Sequence, residues 1–86
     1  MTATHIRPLQ THLGETILGG DLYRLDPPFG PEEDEYVRVE PISSDKDLYV
    51  VYPSNKEGEC VTYDKLAKGS TVQEALFNLA GYRIER

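Results

Sequence analysis

The last seventeen residues, STVQEALFNLAGYRIER, predict an amphipathic helix, and this helix constrains the fold more than any other feature of the chain. One apolar stripe follows the helical spacing i, i+3, i+4, i+7 and i+8, and it consists of Val72, Ala75, Leu76, Leu79 and Ala80. Two overlapping capping boxes can begin the helix: Ser70 with Gln73, and Thr71 with Glu74. Gly81 suits the left-handed position that ends a helix. We therefore expect a helix over residues 71–80 that packs one face against a sheet.

The segments before this helix predict the sheet. Residues 35–42, EYVRVEPI, alternate so that Val37 and Val39 share one face. Residues 47–53, DLYVVYP, are apolar on both faces, which favours a central strand, and residues 59–63, ECVTY, alternate again. The connections between the three segments are short and rich in turn formers, as hairpins require. We predict an α+β fold in which an antiparallel meander packs on the terminal helix.

The first third of the chain carries weaker signals. Residues 19–26, GGDLYRLD, fit a fourth strand, and residues 82–84 fit a short fifth strand, so the sheet has three to five strands. An edge strand and a loose arm both fit residues 1–15, because Pro8 disfavours a central strand position. Residues 26–34, DPPFGPEED, are expected to form an acidic loop rich in proline and glycine.

Composition bounds the class of protein. The 86 residues are enough for one domain, and 38% hydrophobic with 28% charged residues is typical of a soluble globular protein. The net charge of −6 lies mainly in residues 26–45, where seven acids face Arg38 alone, so we expect no direct binding to nucleic acid. No segment has the length and hydropathy of a membrane span or a secretory signal. With Cys60 as the one cysteine, we expect a protein of a reducing cytoplasm.

No catalytic constellation is recognisable in the sequence. It contains no nucleophile elbow, zinc-protease motif or phosphate-binding loop. Neither His5 nor His12 has a spacing that indicates a dyad with Cys60, which is better explained as a packed side chain. The acidic run at residues 32–35 lacks the alternating ligands and the glycine of a calcium loop. We therefore expect no enzymatic activity, no metal and no cofactor.

The acidic run is the first candidate for binding a partner, and its members are Glu32, Glu33, Asp34 and Glu35. A solvated turn is its simplest interpretation. The alternative is an acidic mimic of a nucleic acid, which would place carboxylates in the basic cleft of a DNA- or RNA-binding protein. Asp26, Glu40, Asp45, Asp47, Glu57 and Glu59 would then extend the same surface.

Two phenylalanines complete the set of candidate residues. Phe77 is rotated by about 140° from Val72 on the helix, away from the apolar stripe. We favour core packing for it, against an N-terminal segment that carries Ile6, Leu9 and Leu13; an exposed anchor for a partner is the alternative. Phe29, between prolines and a glycine, either staples its loop to the sheet, which we favour, or docks on a partner.

The C-terminal half also resembles a known group of sequences. An aromatic-Pro hairpin runs into a Gly-Glu turn, then a Leu and Gly-Ser, then a Glu-Ala-Leu helix that Gly-Tyr and a branched residue close. The matching positions are Tyr52, Pro53, Asn55, Gly58, Glu59, Leu66, Gly69, Ser70, Glu74, Ala75, Leu76, Gly81, Tyr82 and Ile84. This pattern is similar to that of small uncharacterised accessory proteins of actinobacterial phages, over residues 49–84. The resemblance implies a phage or prophage protein in a bacterial host cytoplasm and assigns no chemistry.

From these observations we expect a non-enzymatic protein–protein interaction module whose partner is a host or phage protein. The nucleic-acid mimic remains one alternative. A small virion or assembly component, which associates with itself through Phe77 or an open sheet edge, is the other.

Overall fold

Six strands and one helix make up the described part of the chain. The computed structural model describes residues 1–13, 16–42, 45–62 and 64–85. In chain order the elements are β1 (Thr2–Leu13), β2 (Thr16–Phe29), β3 (Asp34–Ile42), β4 (Asp45–Ser54), β5 (Ala67–Gly69), α1 (Val72–Ala80) and β6 (Arg83–Glu85). The predicted α+β class is confirmed.

The strands form one sheet in the order β5-β4-β3-β2-β1-β6, and this sheet curls into a half-barrel. Neighbours from β5 to β1 are antiparallel, whereas β6 runs parallel to β1. The antiparallel pairing predicted for the sheet is thus confirmed for four of the five neighbouring pairs, while the parallel β6 and the count of six strands in the described residues depart from the prediction of three to five antiparallel strands. The reason is helix α1, which contacts β5 and β4 near one edge and β6 at the other. It carries the chain across the sheet, so that β6 enters beside β1 in the same direction.

The predicted meander is confirmed for two of its three strands. Residues 35–42 and 47–53 lie in β3 and β4, which pair with Val39 opposite Val51. Residues 59–62 do not form the predicted strand: Cys60 forms an isolated bridge with Ser54, and Tyr63 lies outside the described residues. The third strand of the meander is β5, which pairs with residues 49–51 of β4.

A side chain explains why the chain does not return directly from β4 as a regular hairpin. The Oδ1 atom of Asn55 accepts hydrogen bonds from the backbone N–H groups of Glu57 (3.0 Å) and Glu59 (2.9 Å). Gly58 has a φ of 89°, and its carbonyl accepts a 2.9 Å hydrogen bond from Arg38 Nη1. Local side-chain bonds of this kind offer the backbone an alternative to a strand ladder. The turn at residues 55–59 is thus fixed, and regular pairing resumes only at β5.

The N-terminal residues belong to the sheet. Thr2–Leu13 is strand β1, rather than the loose arm that was one alternative for residues 1–15, and it pairs along its length with β2. Pro8 is tolerated because β6 covers only Thr2 to Thr4 on the other side of β1. The irregular loop expected over residues 26–34 is shorter than predicted, since β2 continues to Phe29 and β3 begins at Asp34.

The core lies between the sheet and helix α1. Its buried members come from four strands, the helix and the segment between the helix and β6: Ala3, Tyr23, Leu25, Val37, Val39, Val51, Ala75, Leu76 and Tyr82. The predicted helical stripe is confirmed for Ala75 and Leu76, which are fully buried, and for Val72 and Leu79, which are half-buried. Ala80 is exposed, because it falls in the last turn, at the margin of the stripe.

Both predicted ends of the helix are present. Thr71 is the N-cap, and its hydroxyl accepts a hydrogen bond from the N–H of Glu74 at 3.0 Å. The carboxylate of Glu74 accepts from the N–H and the hydroxyl of Ser70 rather than from Thr71, and Gln73 bonds Tyr82 and Ile84 instead of Ser70. The predicted pairing of Ser70 with Gln73 is therefore wrong, and that of Thr71 with Glu74 is confirmed only for the Thr71 hydroxyl. Gly81 is left-handed, with a φ of 79°, and donates to Phe77 O.

Candidate functional site

A groove of about 300 Å³ lies between the turn that follows β2 and the segment that follows β4. Its apolar lining consists of Phe29, Pro31, Pro53, Val61 and Leu66, and three carboxylates, Glu32, Asp34 and Asp64, line it as well. We call it the acidic groove. Pro53 is buried and Asp34 and Leu66 are half-buried, whereas Glu32 and Asp64 are exposed, so apolar and charged surface lie side by side in the groove.

The first wall is the β2–β3 turn. Gly30 has a φ of 74° and Glu33 a φ of 53°, and the N–H of Glu33 donates to Gly30 O at 3.1 Å. Only glycine takes such a φ without steric cost, so this turn depends on Gly30. Phe29 pairs with Asp34 at the end of the ladder and packs its ring against the core. The ring thus ties the turn to the sheet, as the favoured staple interpretation has it, while it also borders the groove.

The second wall is formed by residues 60–62 and 64–66. The N–H of Val61 donates to Pro53 O at 3.0 Å, and the N–H of Leu66 donates to Val51 O at 2.9 Å. These bonds fix the backbone, yet 59% of Val61 is exposed to solvent. An exposed aliphatic side chain next to buried apolar residues offers area that a ligand can cover.

The structure brings together half of the six candidate residues. Phe29, Glu32 and Asp34 line the acidic groove. Glu33 is exposed at the turn, and Glu35 accepts a 3.0 Å hydrogen bond from Arg24 Nε. The acidic run therefore does not form one continuous binding surface, because only two of its four carboxylates line the groove.

Phe77 is not part of the core, and the favoured interpretation of this residue is wrong. Its side chain is 52% exposed, and Ile6, one of its expected contacts, is 45% exposed in strand β1. Leu13, another expected contact, has a side chain outside the described residues. The physical reason is that β1 is held within the sheet, while the helix turns Leu76 inward and position 77 outward. Phe77 instead lines a second groove of about 480 Å³, beside Ile84 of β6.

Sequence reasoning missed the second wall of the acidic groove. No signal in the sequence indicates that Pro53, Asp64 or Leu66 borders a binding site. The alternation of residues 59–63 predicts that Val61 lies in a regular strand. The asparagine–glycine spacing of SNKEG was a usable signal, because Asn55 with Gly58 indicates a structured turn that interrupts alternation.

One histidine–carboxylate pair was also not anticipated. His5 Nε2 lies 2.8 Å from Asp21 Oδ1, and the His5 ring meets the Tyr23 ring edge-on at 5.3 Å between centroids. Burial, and then the charge of Asp21, raises the pKa of Tyr23 above its ordinary value. The raised pKa keeps the Tyr23 hydroxyl protonated at neutral pH, and a protonated phenol is a poor nucleophile.

Cys60 is half-buried and its thiol donates to Thr62 O at 2.8 Å. Burial raises the pKa of this thiol, although the positive charge of Arg38 acts in the opposite direction. A raised pKa disfavours the thiolate that nucleophilic or metal-binding chemistry requires.

No helix in the described ranges is both long and apolar enough to cross a membrane. Among those same residues, no group of three or more histidine, cysteine and acidic side chains is arranged to hold a metal ion. Comparison with protein-family models, with curated proteins and with solved structures found no match to this chain.

Proposed function

We propose that this chain is a non-enzymatic protein-binding module that holds a short basic and apolar segment of a partner protein in the acidic groove. The observation that carries the proposal is the combination, in one groove, of apolar surface with three carboxylates. Because Val61 is exposed, this apolar surface is accessible to a ligand.

Lysine and arginine fit such a groove better than other residues. Their aliphatic stems cover apolar surface while the charged head can meet Asp34 or Asp64. An arginine head also forms bidentate hydrogen bonds with a carboxylate. A space of about 300 Å³ holds one or two side chains, so we expect a short linear segment to bind with micromolar affinity.

The groove is also preorganised. The Gly30–Glu33 turn, the ring of Phe29 and the backbone bonds of Val61 and Leu66 fix both walls before a ligand arrives. Binding to fixed walls costs less conformational entropy than binding to a loop that must order.

The nucleic-acid mimic is the weaker proposal. Two of the carboxylates counted toward its surface lie against arginines: Glu40 is 2.5 Å from Arg38 Nη2, and Glu35 is 3.0 Å from Arg24 Nε. Each pairing lowers the net negative charge that a phosphate-like surface offers to a basic cleft. The side chains of Asp45 and Asp47 lie outside the described residues.

The resemblance to accessory proteins of actinobacterial phages supports a phage or host protein as the partner. It covers residues 49–84, which include Pro53 and the second wall of the groove. We propose on this basis that the segment that binds belongs to a bacterial or phage protein.

Selection from a random linear-peptide display library tests the proposal. The groove variant is Asp34→Asn with Val61→Ser and Asp64→Asn. The matched control, Ile6→Ser with Glu57→Gln and Glu59→Gln, removes one exposed aliphatic side chain and two charges elsewhere. We expect peptides that pair lysine or arginine with an aliphatic or aromatic residue, and binding that falls about tenfold or more (~1.4 kcal/mol) in the groove variant alone. Selected peptides that bind both folded variants equally well would contradict the proposal.

A further inference from the structure

The outer edge of strand β6 is occupied by a side chain. Gln73 of helix α1 donates from Nε2 to Tyr82 O at 3.2 Å, and its Oε1 accepts from the N–H of Ile84 at 3.0 Å. On the opposite side of β6, the N–H of Arg83 donates to Met1 O at 3.1 Å, next to β1. Because N–H groups alternate in direction along a strand, Tyr82 O and the N–H of Ile84 face away from the sheet.

The carboxamide of Gln73 thus stands where the backbone of a further strand would stand. An amide has one acceptor and one donor edge, as a peptide group has, and it bonds the residues on either side of Arg83 as a parallel strand would. β6 ends the strand order in the described part of the chain. An unpaired edge is a template for pairing with another chain, and blocking it prevents that association.

We propose that the outer edge of β6 is a strand-pairing surface for the β6 of a second copy of this chain, and that Gln73 keeps it closed. A two-fold axis beside Ile84 would let the N–H and C=O of Ile84 in one copy bond those of Ile84 in the other. This arrangement is antiparallel and self-complementary, which a closed dimer requires.

The charged side chains of β6 also favour a second copy of this chain as the partner. In an antiparallel pair centred on Ile84, Arg83 of one copy lies opposite Glu85 of the other, and the reverse pair forms as well. Both side chains are exposed in the single chain, and Glu85 now accepts only a long, 3.4 Å, hydrogen bond from Thr4 Oγ1 among the bonds described. Opposite charges that face each other across two strands stabilise the pairing.

Apolar area lies at the same place. The groove of about 480 Å³ is lined by Gln73, Phe77, Arg83 and Ile84, so Phe77 borders the edge that Gln73 blocks. Two copies joined at β6 would bring two such grooves together, and each Phe77 ring could then cover apolar surface of the other copy.

Sedimentation velocity over a wide range of protein concentration tests this inference. We expect the wild-type chain to sediment with the mass of one copy and Gln73→Ala to reach the mass of two as concentration rises. Gln73→Glu is a second, milder variant, because its carboxylate still accepts from Ile84 but cannot donate to Tyr82 O, so we expect weaker dimers. In the Gln73→Ala background, Arg83→Glu places like charges opposite each other and should weaken the dimer about tenfold. Adding Glu85→Arg should restore it.

Three results would overturn the inference. A wild-type chain that is already a dimer would show that Gln73 does not block association. A folded Gln73→Ala variant that keeps the mass of one copy at every concentration would show that β6 is not a pairing surface for a second copy, even if its Ile84 amide exchanges faster. A Gln73→Ala dimer that is insensitive to Arg83→Glu would place the contact elsewhere.

Discussion

The hydroxyl of Tyr82 donates a 2.5 Å hydrogen bond to the carbonyl oxygen of Pro27, 55 residues earlier in the chain. Tyr82 is 1% exposed and follows Gly81, the residue that ends helix α1. This one side chain therefore fixes the exit of the helix against strand β2 and directs the following residues into β6. Helix α1 contacts β5 at one edge of the sheet and β6 at the other, so this bond anchors the end of the helix that leads into β6.

Tyr82→Phe should remove the hydrogen bond and keep the ring packing. We expect the free energy of unfolding to fall by about 1 kcal/mol. Urea denaturation at neutral pH measures this change. A variant with wild-type stability would show that the bond to Pro27 contributes nothing.

Alkaline pH gives an independent test of the same residue. Burial, and then the charge of Asp26, raises the pKa of Tyr82 above its ordinary value of 10.0. Because the folded pKa is the higher one, the stabilisation is fully present below pH 10 and is lost as pH rises through the folded pKa. Tyr82→Phe should therefore lose less stability than the wild type above about pH 10. Parallel declines in both proteins would contradict this assignment.

The contact between β5 and the helix should not tolerate a side chain at residue 69. A Cβ added to Gly69 would lie 2.7 Å from the carbonyl carbon of Glu74 and 2.8 Å from the Cα of Ala75. Since backbone atoms cannot move aside cheaply, we expect Gly69→Ala to cost about 3 kcal/mol of folding free energy.

Gly81→Ala is the matched control for that change. Its Cβ would meet nothing within 4 Å, so only the φ of 79° opposes it, and we expect a cost of about 1 kcal/mol. Thermal and urea unfolding of both variants measure the difference. Equal costs would show that close packing at Gly69 is not what holds the helix on β5.

The turn after β4 should depend on the side-chain oxygen of Asn55. Asn55→Ala removes the acceptor for the N–H groups of Glu57 and Glu59, and we expect a loss of about 1–2 kcal/mol and faster amide exchange at both residues. Asn55→Asp keeps an acceptor and should lose less. Unchanged exchange in the alanine variant would mean that the backbone alone sets this turn.

Sequence patterns predicted the elements whose stability is local or strongly periodic. Helix α1 has its stripe and both of its ends in the sequence, and β3 alternates through Val37 and Val39. The short strand expected at residues 82–84 corresponds to β6 (Arg83–Glu85), whereas β5 is not predicted by any pattern in the sequence. Both strands have three residues, which are too few to show a period. Residues 59–62 show the opposite case: their sequence alternates like a strand, but the turn that Asn55 fixes takes the backbone out of regular pairing.

The candidate site was predictable only on one of its walls. Glu32, Asp34 and Phe29 stand out in sequence because they are clustered charges and an aromatic ring among prolines. Val61 and Asp64 line the groove because the tertiary fold brings them there. Neither the composition nor the residue spacing of the sequence indicates that position. The expectation that Phe77 lies in the core follows from the need of a small domain to bury large rings. In the structure the large rings of the core are those of Tyr82 and Tyr23, and Phe77 is exposed.

An NMR titration of the isotope-labelled protein with the tightest peptide from the library tests the central claim most directly. The account predicts that the largest amide shifts fall on both walls of the acidic groove, at Phe29, Glu32 and Asp34 on one side and at Val61 and Leu66 on the other. Shifts that concentrate instead on helix α1 and β6, with the groove unchanged, would contradict it.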